Sequence, residues 1–212
     1  MSAALWDLDG TIVDSAGDIA AAMDRTLLDA GLPALGEGRV RAFIGEGARR
    51  LVDRCVLAAG GVPSDAMLAA FMKGYRAALV VQTRIHPLAL GALLPRVVAP
   101  MALVTNKPEA MTHALLATLD LARYFPVVIG ADTLPTRKPD PEPLREGLRR
   151  LGETDGVYVG DSSLDVMAAH AAGMPIIGVD WGIGVSEGAD VRVATVAQLE
   201  AALRSYGVAI EA

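Results

Sequence analysis

The chain has 212 residues, 52% of them hydrophobic, which is enough to bury a substantial core in one compact domain carrying a small insertion. A formal net charge of -6 and a pI near 5.0 argue against nucleic acid as the main ligand. The longest apolar runs are shorter than the roughly 18 to 20 residues of a membrane helix, and no signal peptide precedes the first predicted strand. We therefore expect a cytoplasmic protein that binds neither nucleic acid nor membrane.

The chain contains a single cysteine, Cys55, which excludes an internal disulfide and any metal site built from several cysteines. Cys55 lies in a stretch with helical spacing of its apolar residues. We expect a buried thiol there rather than a nucleophile.

The first predicted element is a short buried strand over Ala3–Trp6 that ends in a tight turn. Only helical signals follow it. Ser15 and Asp18 have the spacing of a capping box, and Ser64 is expected to cap a later helix of this stretch. Apolar residues recur along the stretch at helical spacing: Ile19, Met23, Leu27, Leu51, Val52, Phe71, Tyr75.

Strands and helices are predicted to alternate after His86-Pro87. The predicted strands cover residues 101–105, 127–130, 156–160 and 175–179, and the predicted helices cover residues 110–119, 142–151 and 164–172. Continuous apolar strands that alternate with helices predict an α/β fold, with a Rossmann-like parallel sheet and helices on both faces. We assign residues 1–15 and 85–212 to this core. Residues 16–84 are predicted to form a small all-helical cap, inserted after the first strand and lying over the carboxyl ends of the strands.

Two short polar segments follow predicted strands in the first part of the core. In Asp7-Leu8-Asp9-Gly10-Thr11 the two carboxylates lie on the same side of an extended chain, and Gly10 lets the backbone turn sharply. In Thr105-Asn106 a hydroxyl and adjacent backbone N–H groups are suited to holding a phosphate oxygen. Either segment alone is also compatible with an ordinary turn or a helix cap.

Two further segments complete the set. Lys138 precedes a predicted helix and is able to neutralise a phosphate oxygen or a nearby carboxylate, although a surface lysine is the simpler interpretation of this residue alone. Gly160–Asp165 places two more carboxylates, Asp161 and Asp165, at a junction between a strand and a helix. A capped helix start is the favoured interpretation of that segment in isolation.

Taken together, the four segments resemble, in order and in residue type, the motifs of the haloacid dehalogenase-like superfamily of phosphohydrolases. The second segment, which continues as Lys107-Pro108, resembles that motif in phosphoglycolate phosphatases. The resemblance covers nearly the whole chain: it is carried by Trp6–Ser15, Thr105–Pro108, Arg137–Pro141 and Gly160–Asp165. It implies a hydrolase of phosphoric monoesters that passes through an aspartyl-phosphate.

The resemblance also implies a role for each matching residue. Asp7 would be the nucleophile, and Asp9 would protonate the leaving oxygen and then activate water. The implied cofactor is Mg²⁺, held by Asp7, the backbone carbonyl of Asp9, and Asp161. Asp165 would either bind the metal or orient one of its water ligands. The phosphoryl oxygens would be bound by Thr105, the backbone at Asn106, and Lys138.

The substrate is expected to be chosen by the cap, because the core handles a phosphoryl group that all substrates share. Ile44–Ala48 resembles the glycine-bearing cap loop of phosphoglycolate phosphatases, in which Gly45 and Gly47 would let backbone N–H groups approach a carboxylate. Glu46 adds a negative charge and argues mildly against this substrate. We expect a monomer or homodimer that acts on a small phosphorylated metabolite, with 2-phosphoglycolate as the preferred candidate.

Several alternatives remain open from the sequence. A sugar-phosphate phosphatase, a pyrophosphatase and a phosphomutase of the same superfamily would use the same core chemistry. A signalling module that accepts phosphate on an aspartate is the alternative outside enzymes. Three features argue against that module: Asp7 lies on the first predicted strand, the chain carries a helical insertion, and Asp9 is a candidate acid and base. A dehalogenase is disfavoured, because that reaction needs neither Mg²⁺ nor an acid for an alkoxide leaving group.

Overall fold

The computed structural model describes residues 2–211 and contains the predicted parallel sheet. Its six strands are β1 (Ala3–Trp6), β4 (Met101–Val104), β5 (Val127–Ile129), β6 (Gly156–Gly160), β7 (Ile176–Val179) and β8 (Val191–Val193). They lie in the order β5-β4-β1-β6-β7-β8, and every neighbouring pair is parallel. The predicted α/β fold is therefore confirmed.

The helices of the core cover both faces of this sheet, and further helices form the inserted stretch. Within residues 2–211 they are α1 (Ala16–Asp29), α2 (Glu37–Arg41), α3 (Ala48–Ala58), α4 (Asp65–Ala77), α5 (Leu90–Leu93), α6 (Glu109–Thr118), α7 (Glu142–Leu151), α8 (Ser163–Ala172) and α9 (Val196–Ser205). None of these helices is both long enough and apolar enough to cross a membrane.

Strand β1 shows why the sheet is buried on both sides. All four of its residues are fully buried, and successive side chains point to opposite faces. Ala3 and Leu5 pack in the cluster that contains residues of α7 and α8. Ala4 and Trp6 pack in a larger cluster with residues of α5, α6 and α9, which continues into the inserted helices. A strand covered on both faces has the continuous apolar sequence that predicted it.

Helices α1 to α4 leave the core and return to it at one place. The chain leaves through β2 (Val13–Asp14) and returns through β3 (Arg84–Ile85), and these two short strands pair antiparallel. The pair was not predicted, because two residues are too few to show an alternating pattern. The division into a core and a cap, with the boundaries given above, stays a prediction about independent units.

The predicted capping box at the start of α1 is wrong. Ser15 makes no side-chain cap hydrogen bond, and its hydroxyl instead donates to Asp9 Oδ1 at 2.6 Å. Asp18 accepts hydrogen bonds from residues 81–83 of the returning segment. Both side chains are drawn into tertiary contacts that local spacing does not reveal. The predicted cap at Ser64 is confirmed, since its hydroxyl accepts from the backbone N–H of Met67 at 3.3 Å.

Some elements were missed by the sequence analysis. The stretch after His86-Pro87 forms α5 and then a 3-10 turn over Leu94–Arg96. Near the end of the chain, β8 has only three residues, and α9 begins with a capping box formed by Thr195 and Gln198. The three-residue spacing between Thr195 and Gln198 is the sequence pattern that predicts a helix start.

Candidate active site

The sheet order places the motif residues side by side. Asp7 follows β1, Thr105 follows β4 and Asp161 follows β6, and β1 lies between β4 and β6. Because the three strands are parallel, these residues meet at the same carboxyl edge. This edge is where open α/β sheets bind their ligands.

Three buried carboxylates lie together at that edge. Asp7, Asp161 and Asp165 each offer an oxygen, and these oxygens lie within 4.8 Å of one another. The pKa of Asp7 is raised to about 7, chiefly by burial; the charge of Lys138 opposes the rise, and the charges of Asp165 and Asp161 add to it. Burial, followed by the charge of Asp165, likewise raises the pKa of Asp161 to about 6. A nearby cation favours the ionised form of both of these groups.

Lys138 supplies one such cation. It is 4% exposed, and its Nζ lies 2.8 Å from Asp7 Oδ1 and 2.7 Å from Asp165 Oδ1. The same ammonium donates to the Tyr158 hydroxyl at 2.7 Å. Burial opposes its charge, but Asp165 and Asp7 outweigh burial and raise the pKa of Lys138. Lys138 is therefore a buried ion held between carboxylates.

Asp165 uses both of its oxygens within the protein. Oδ1 accepts from Lys138, and Oδ2 accepts from the Ser162 hydroxyl at 2.6 Å and from the backbone N–H groups of Ser162 and Asp161 at 3.0 and 3.2 Å. Asp165 thereby fixes both the lysine and the loop that carries Asp161. These bonds favour an indirect role at a metal site over a place among the ligands.

Asp161 is held by the loop that follows β7. Its Oδ2 accepts from the backbone N–H groups of Ile183 and Gly184 at 2.7 and 2.8 Å. Gly10 approaches the same carboxylate with φ of +89°, and a Cβ at this position would collide with Asp161 Oδ2. The predicted sharp turn at Gly10 is present, and close approach to Asp161 adds a second reason for glycine.

Asp9 contacts a cation that sequence reasoning passed over. Lys107 is 5% exposed, and its Nζ lies 3.1 Å from both carboxylate oxygens of Asp9. The ammonium also donates to the hydroxyl of Tyr75, on α4, at 2.6 Å. Lys107 belongs to the second motif, but the resemblance assigns it no role. Its position in that motif, as one of only three lysines in the chain, was the available signal.

The loop before α3 reaches the core through Asn106. The Asn106 amide donates to the carbonyl of Gly45 at 3.0 Å and to the carbonyl of Lys138 at 2.9 Å. Gly47 lies close to the Asn106 carbonyl: a Cβ at position 47 would be 3.4 Å from the carbonyl oxygen. Glu46, by contrast, pairs with Arg54 at 2.5 Å. The negative charge that argued against an anionic substrate is therefore already balanced.

A small cavity of about 60 Å³ lies between this loop, α4 and the sheet edge. Its polar lining includes Asp7, Asp9, Thr105, Asn106 and Lys107, while the inserted helices contribute mostly apolar side chains such as Ile19, Leu51, Phe71 and Met72. The structure thus brings Gly45 and Gly47 to the same cavity as Asp7, Asp9, Thr105 and Asn106. Lys138, Asp161 and Asp165 lie close to Asp7 but do not line the cavity.

The donor set suits a small, hard divalent cation. Carboxylate oxygens are the ligands that Mg²⁺ prefers, and Asp7 Oδ1 is buried without accepting a hydrogen bond of ordinary geometry, although Lys138 is close. The site as a whole combines a buried carboxylate at the end of the first strand, a buried lysine and a candidate cation site. These features define an α/β enzyme equipped for reactions of phosphate esters.

The comparisons with known proteins agree with this class. The model of the haloacid dehalogenase-like hydrolases matches residues 4–179. Phosphoglycolate phosphatase 1 of Pseudomonas aeruginosa is 41% identical over 84% of this chain and 69% of its own. Phosphoglycolate phosphatase of Photorhabdus laumondii is 38% identical over 86% of this chain and 81% of its own. The chain belongs to the haloacid dehalogenase-like hydrolase family.

A solved structure extends the similarity to the fold. The crystal structure of a predicted phosphoglycolate phosphatase from Haemophilus somnus superimposes with a TM-score of 0.85, at 26% identity over 95% of this chain and 97% of that one. The inserted helices are therefore included in the match.

Proposed function

We propose that this protein is a Mg²⁺-dependent phosphatase that hydrolyses 2-phosphoglycolate through a phosphoryl group carried on Asp7. The observation that carries the proposal is the position of Asp7, which lies between the Lys138 ammonium and the Asp161 carboxylate at the floor of a small cavity. The identity of about 40% to phosphoglycolate phosphatases supports the choice of substrate.

Asp7 acts as the nucleophile in this proposal. A carboxylate oxygen of Asp7 attacks phosphorus, and the bond between phosphorus and the ester oxygen breaks. Lys138 offsets the charge that gathers around Asp7 and the incoming phosphoryl oxygens. Asp165 and Tyr158 hold Lys138 in place for this role.

Asp9 acts as the acid and then as the base. Its carboxyl group gives a proton to the leaving oxygen in the first step. Its carboxylate then takes a proton from the water that attacks phosphorus, and this attack breaks the bond to Asp7. Ser15 donates to one carboxylate oxygen of Asp9 and Lys107 donates to both, and these contacts fix the orientation of the carboxyl group.

Mg²⁺ completes the charge balance at the cluster. The residues proposed to hold it are Asp7, Asp161 and the backbone carbonyl of Asp9, with Asp165 acting through a water ligand and through Lys138. When bound, the cation supplies positive charge that offsets the carboxylates and the phosphoryl oxygens. Those oxygens are bound by Lys138, the Thr105 hydroxyl and the backbone at Asn106.

The small cavity limits the rest of the substrate. Residues 16–84 form the proposed cap over the core of residues 1–15 and 85–212, and Gly45 and Gly47 bring backbone close to the leaving group. A cavity of about 60 Å³ has room for a small leaving group such as glycolate. We further propose a cytoplasmic enzyme that works as a monomer or homodimer.

The test is phosphate release from a panel of substrates with Mg²⁺ and with excess chelator. The panel contains 2-phosphoglycolate, sugar phosphates and pyrophosphate, and the Asp7→Asn variant serves as the blank. Metal-dependent release that favours 2-phosphoglycolate would support the proposal. A preference for another compound would retain the chemistry and reject the substrate. Stable phosphorylation without release would favour the signalling module.

A further inference from the structure

Lys107 is not explained by the handling of the phosphoryl group. Lys138 already serves Asp7, whereas Lys107 lies on the other side of the site, against Asp9 and the inserted helix α4. Burying an ammonium has a large desolvation cost. Two of the three lysines in the chain are nevertheless buried here, and only Lys73 is exposed.

Lys107 is also the one basic residue that lines the cavity in the part of the chain described, residues 2–211. None of the arginines of the neighbouring helices α3 and α4 lines the cavity, and two of those on α3 pair with acidic side chains. Arg49 pairs with Asp53 and Asp65, and Arg54 pairs with Glu46. An anionic leaving group inside the cavity therefore meets a single side-chain cation.

The distance from Asp9 places that cation at a chemically defined point. Asp9 must reach the ester oxygen to protonate it, so the leaving group lies beside Asp9. The carboxyl carbon of 2-phosphoglycolate is two bonds beyond the ester oxygen. The Lys107 ammonium lies 3.1 Å from Asp9, and the Tyr75 hydroxyl lies 2.6 Å from that ammonium. Because both residues line the cavity, both are placed to meet that carboxylate.

We propose that Lys107, assisted by the hydroxyl of Tyr75, binds the carboxylate of the leaving group and sets the preference for a carboxylated phosphate ester. This inference rests on the proposed function and assigns the residues that select its substrate. Lys107 gives charge-assisted hydrogen bonds, and Tyr75 on α4 makes the selection depend on the inserted helices. A site built around a buried cation also rejects an uncharged analogue, which would leave the cation without its partner.

The competing explanation is that Lys107 only positions Asp9. In that case its loss would slow all substrates by the same factor, because Asp9 serves every ester alike. Loss of a carboxylate contact lowers the rate for carboxylated substrates selectively. The ratio of kcat/KM for 2-phosphoglycolate to kcat/KM for ethyl phosphate separates the two, since ethyl phosphate replaces the carboxylate with a methyl group.

The experiment measures this ratio, with Mg²⁺ present, for the wild type and for the Lys107→Met, Tyr75→Phe and Lys73→Met variants. Lys107→Met is expected to lower the ratio by about 10- to 100-fold, the usual effect of a hydrogen bond to a charged group. Tyr75→Phe should lower it by roughly 2- to 10-fold. Lys73→Met, an exposed lysine on the same helix as Tyr75, should leave the ratio unchanged.

Binding gives a second readout that does not depend on turnover. Calorimetry compares 3-phosphonopropionate, a non-hydrolysable analogue of the substrate, with propylphosphonate, which lacks its carboxylate. The wild type should favour the carboxylated analogue, and Lys107→Met should lose that preference. If Lys107→Met does not fold, Tyr75→Phe carries the same test with its smaller expected change.

If the ratio is unchanged in Lys107→Met, the inference is overturned while the proposed function stands. Where Lys107→Met does not fold, an unchanged ratio in Tyr75→Phe has the same consequence. A wild type that hydrolyses ethyl phosphate as well as 2-phosphoglycolate would instead reject the proposed substrate, and the inference with it. A lowered ratio together with a lost binding preference would support both.

Discussion

The ammonium of Lys138 donates a 2.7 Å hydrogen bond to Asp165 Oδ1, a carboxylate with no exposed surface. The two residues are 27 positions apart: Lys138 lies in the loop before α7, and Asp165 lies in the first turn of α8. Their pair holds Lys138 against Asp7, so the lysine reaches the proposed nucleophile already charged and oriented. A buried pair of this kind is costly to break from one side, because the remaining partner stays buried.

Replacing Lys138 with methionine should therefore destabilise the fold as well as the reaction. We expect the free energy of unfolding to fall by about 3–5 kcal/mol at pH 8 without metal. The loss should be smaller at pH 5, where Asp7, whose pKa is raised to about 7, is already protonated. Urea unfolding at the two pH values measures this, with Lys73→Met as the exposed control. Equal losses at both pH values would contradict the account.

The pKa values of the acidic cluster predict a dependence of metal binding on pH. Without metal, Asp7 and Asp161 have pKa values of about 7 and about 6, above the ordinary 3.8. A raised folded-state pKa means that these groups favour the folded state fully below pH 4, and that this contribution is lost as the pH rises through 6 and 7. Mg²⁺ binds the ionised form, so it should restore stability most at the higher pH.

Thermal unfolding at pH 5.5 and pH 8 with and without Mg²⁺ checks this prediction. At a Mg²⁺ concentration of about 100 times the Kd at pH 8, the stabilisation at pH 8 should be roughly 2.7 kcal/mol. The same concentration should give a smaller gain at pH 5.5, because Mg²⁺ binds more weakly there. The Asp161→Asn variant should lose most of the gain at pH 8. A gain that is equal at both pH values, or that survives in Asp161→Asn, would argue against the proposed ligands.

Asp18 is expected to anchor the segment that returns from the inserted helices to the core. Its Oδ2 accepts from the Thr83 hydroxyl at 2.7 Å and from backbone N–H groups of Val81 and Thr83 at 2.9 and 2.8 Å. We expect Asp18→Asn to lower the free energy of unfolding by about 1.5–3 kcal/mol. Amide exchange at residues 81–83 should become faster, whereas Asp29→Asn, exposed on the same helix, should change neither quantity.

The contribution of Asp18 should disappear in acid. Burial opposes its charge, but the hydrogen bonds from Thr83, Val81 and Gln82 outweigh burial and lower the pKa of Asp18 below 3.8. Its stabilisation is therefore present above pH 4 and is lost as the pH falls through the lowered pKa. The difference in the free energy of unfolding between the wild type and Asp18→Asn should therefore disappear as the pH falls over this range. A difference that stays constant to pH 2.5 would show that the carboxylate charge is not involved.

The sequence predicts the framework of this site because the framework depends on order along the chain. Asp7, Thr105 and Asp161 each end an apolar strand, and parallel strands place such ends at one edge. The buried thiol at Cys55 was predicted in the same way, from helical spacing. It is confirmed by its complete burial, which raises the pKa of the thiol to about 12.

The contacts between distant segments were not predictable in this way. Asp18 has the local spacing of a capping residue, yet its partners at residues 81–83 lie more than 60 positions away. The partners of Lys107 are 98 and 32 positions away, on the first motif and on α4. Local spacing reports only what a residue can do within its own element. The partner on another element is set by how the inserted helices pack.

The most direct test of the account is whether Asp7 carries a phosphoryl group during turnover. The Asp9→Asn variant should form the aspartyl-phosphate slowly and break it down more slowly still, since it lacks the base for the second step. After incubation with 2-phosphoglycolate and Mg²⁺ and an acid quench, mass spectrometry should find one added phosphoryl group on the peptide that contains Asp7. The Asp7→Asn variant should carry none. A phosphoryl group on another residue, or turnover by folded Asp7→Asn, would contradict the central claim.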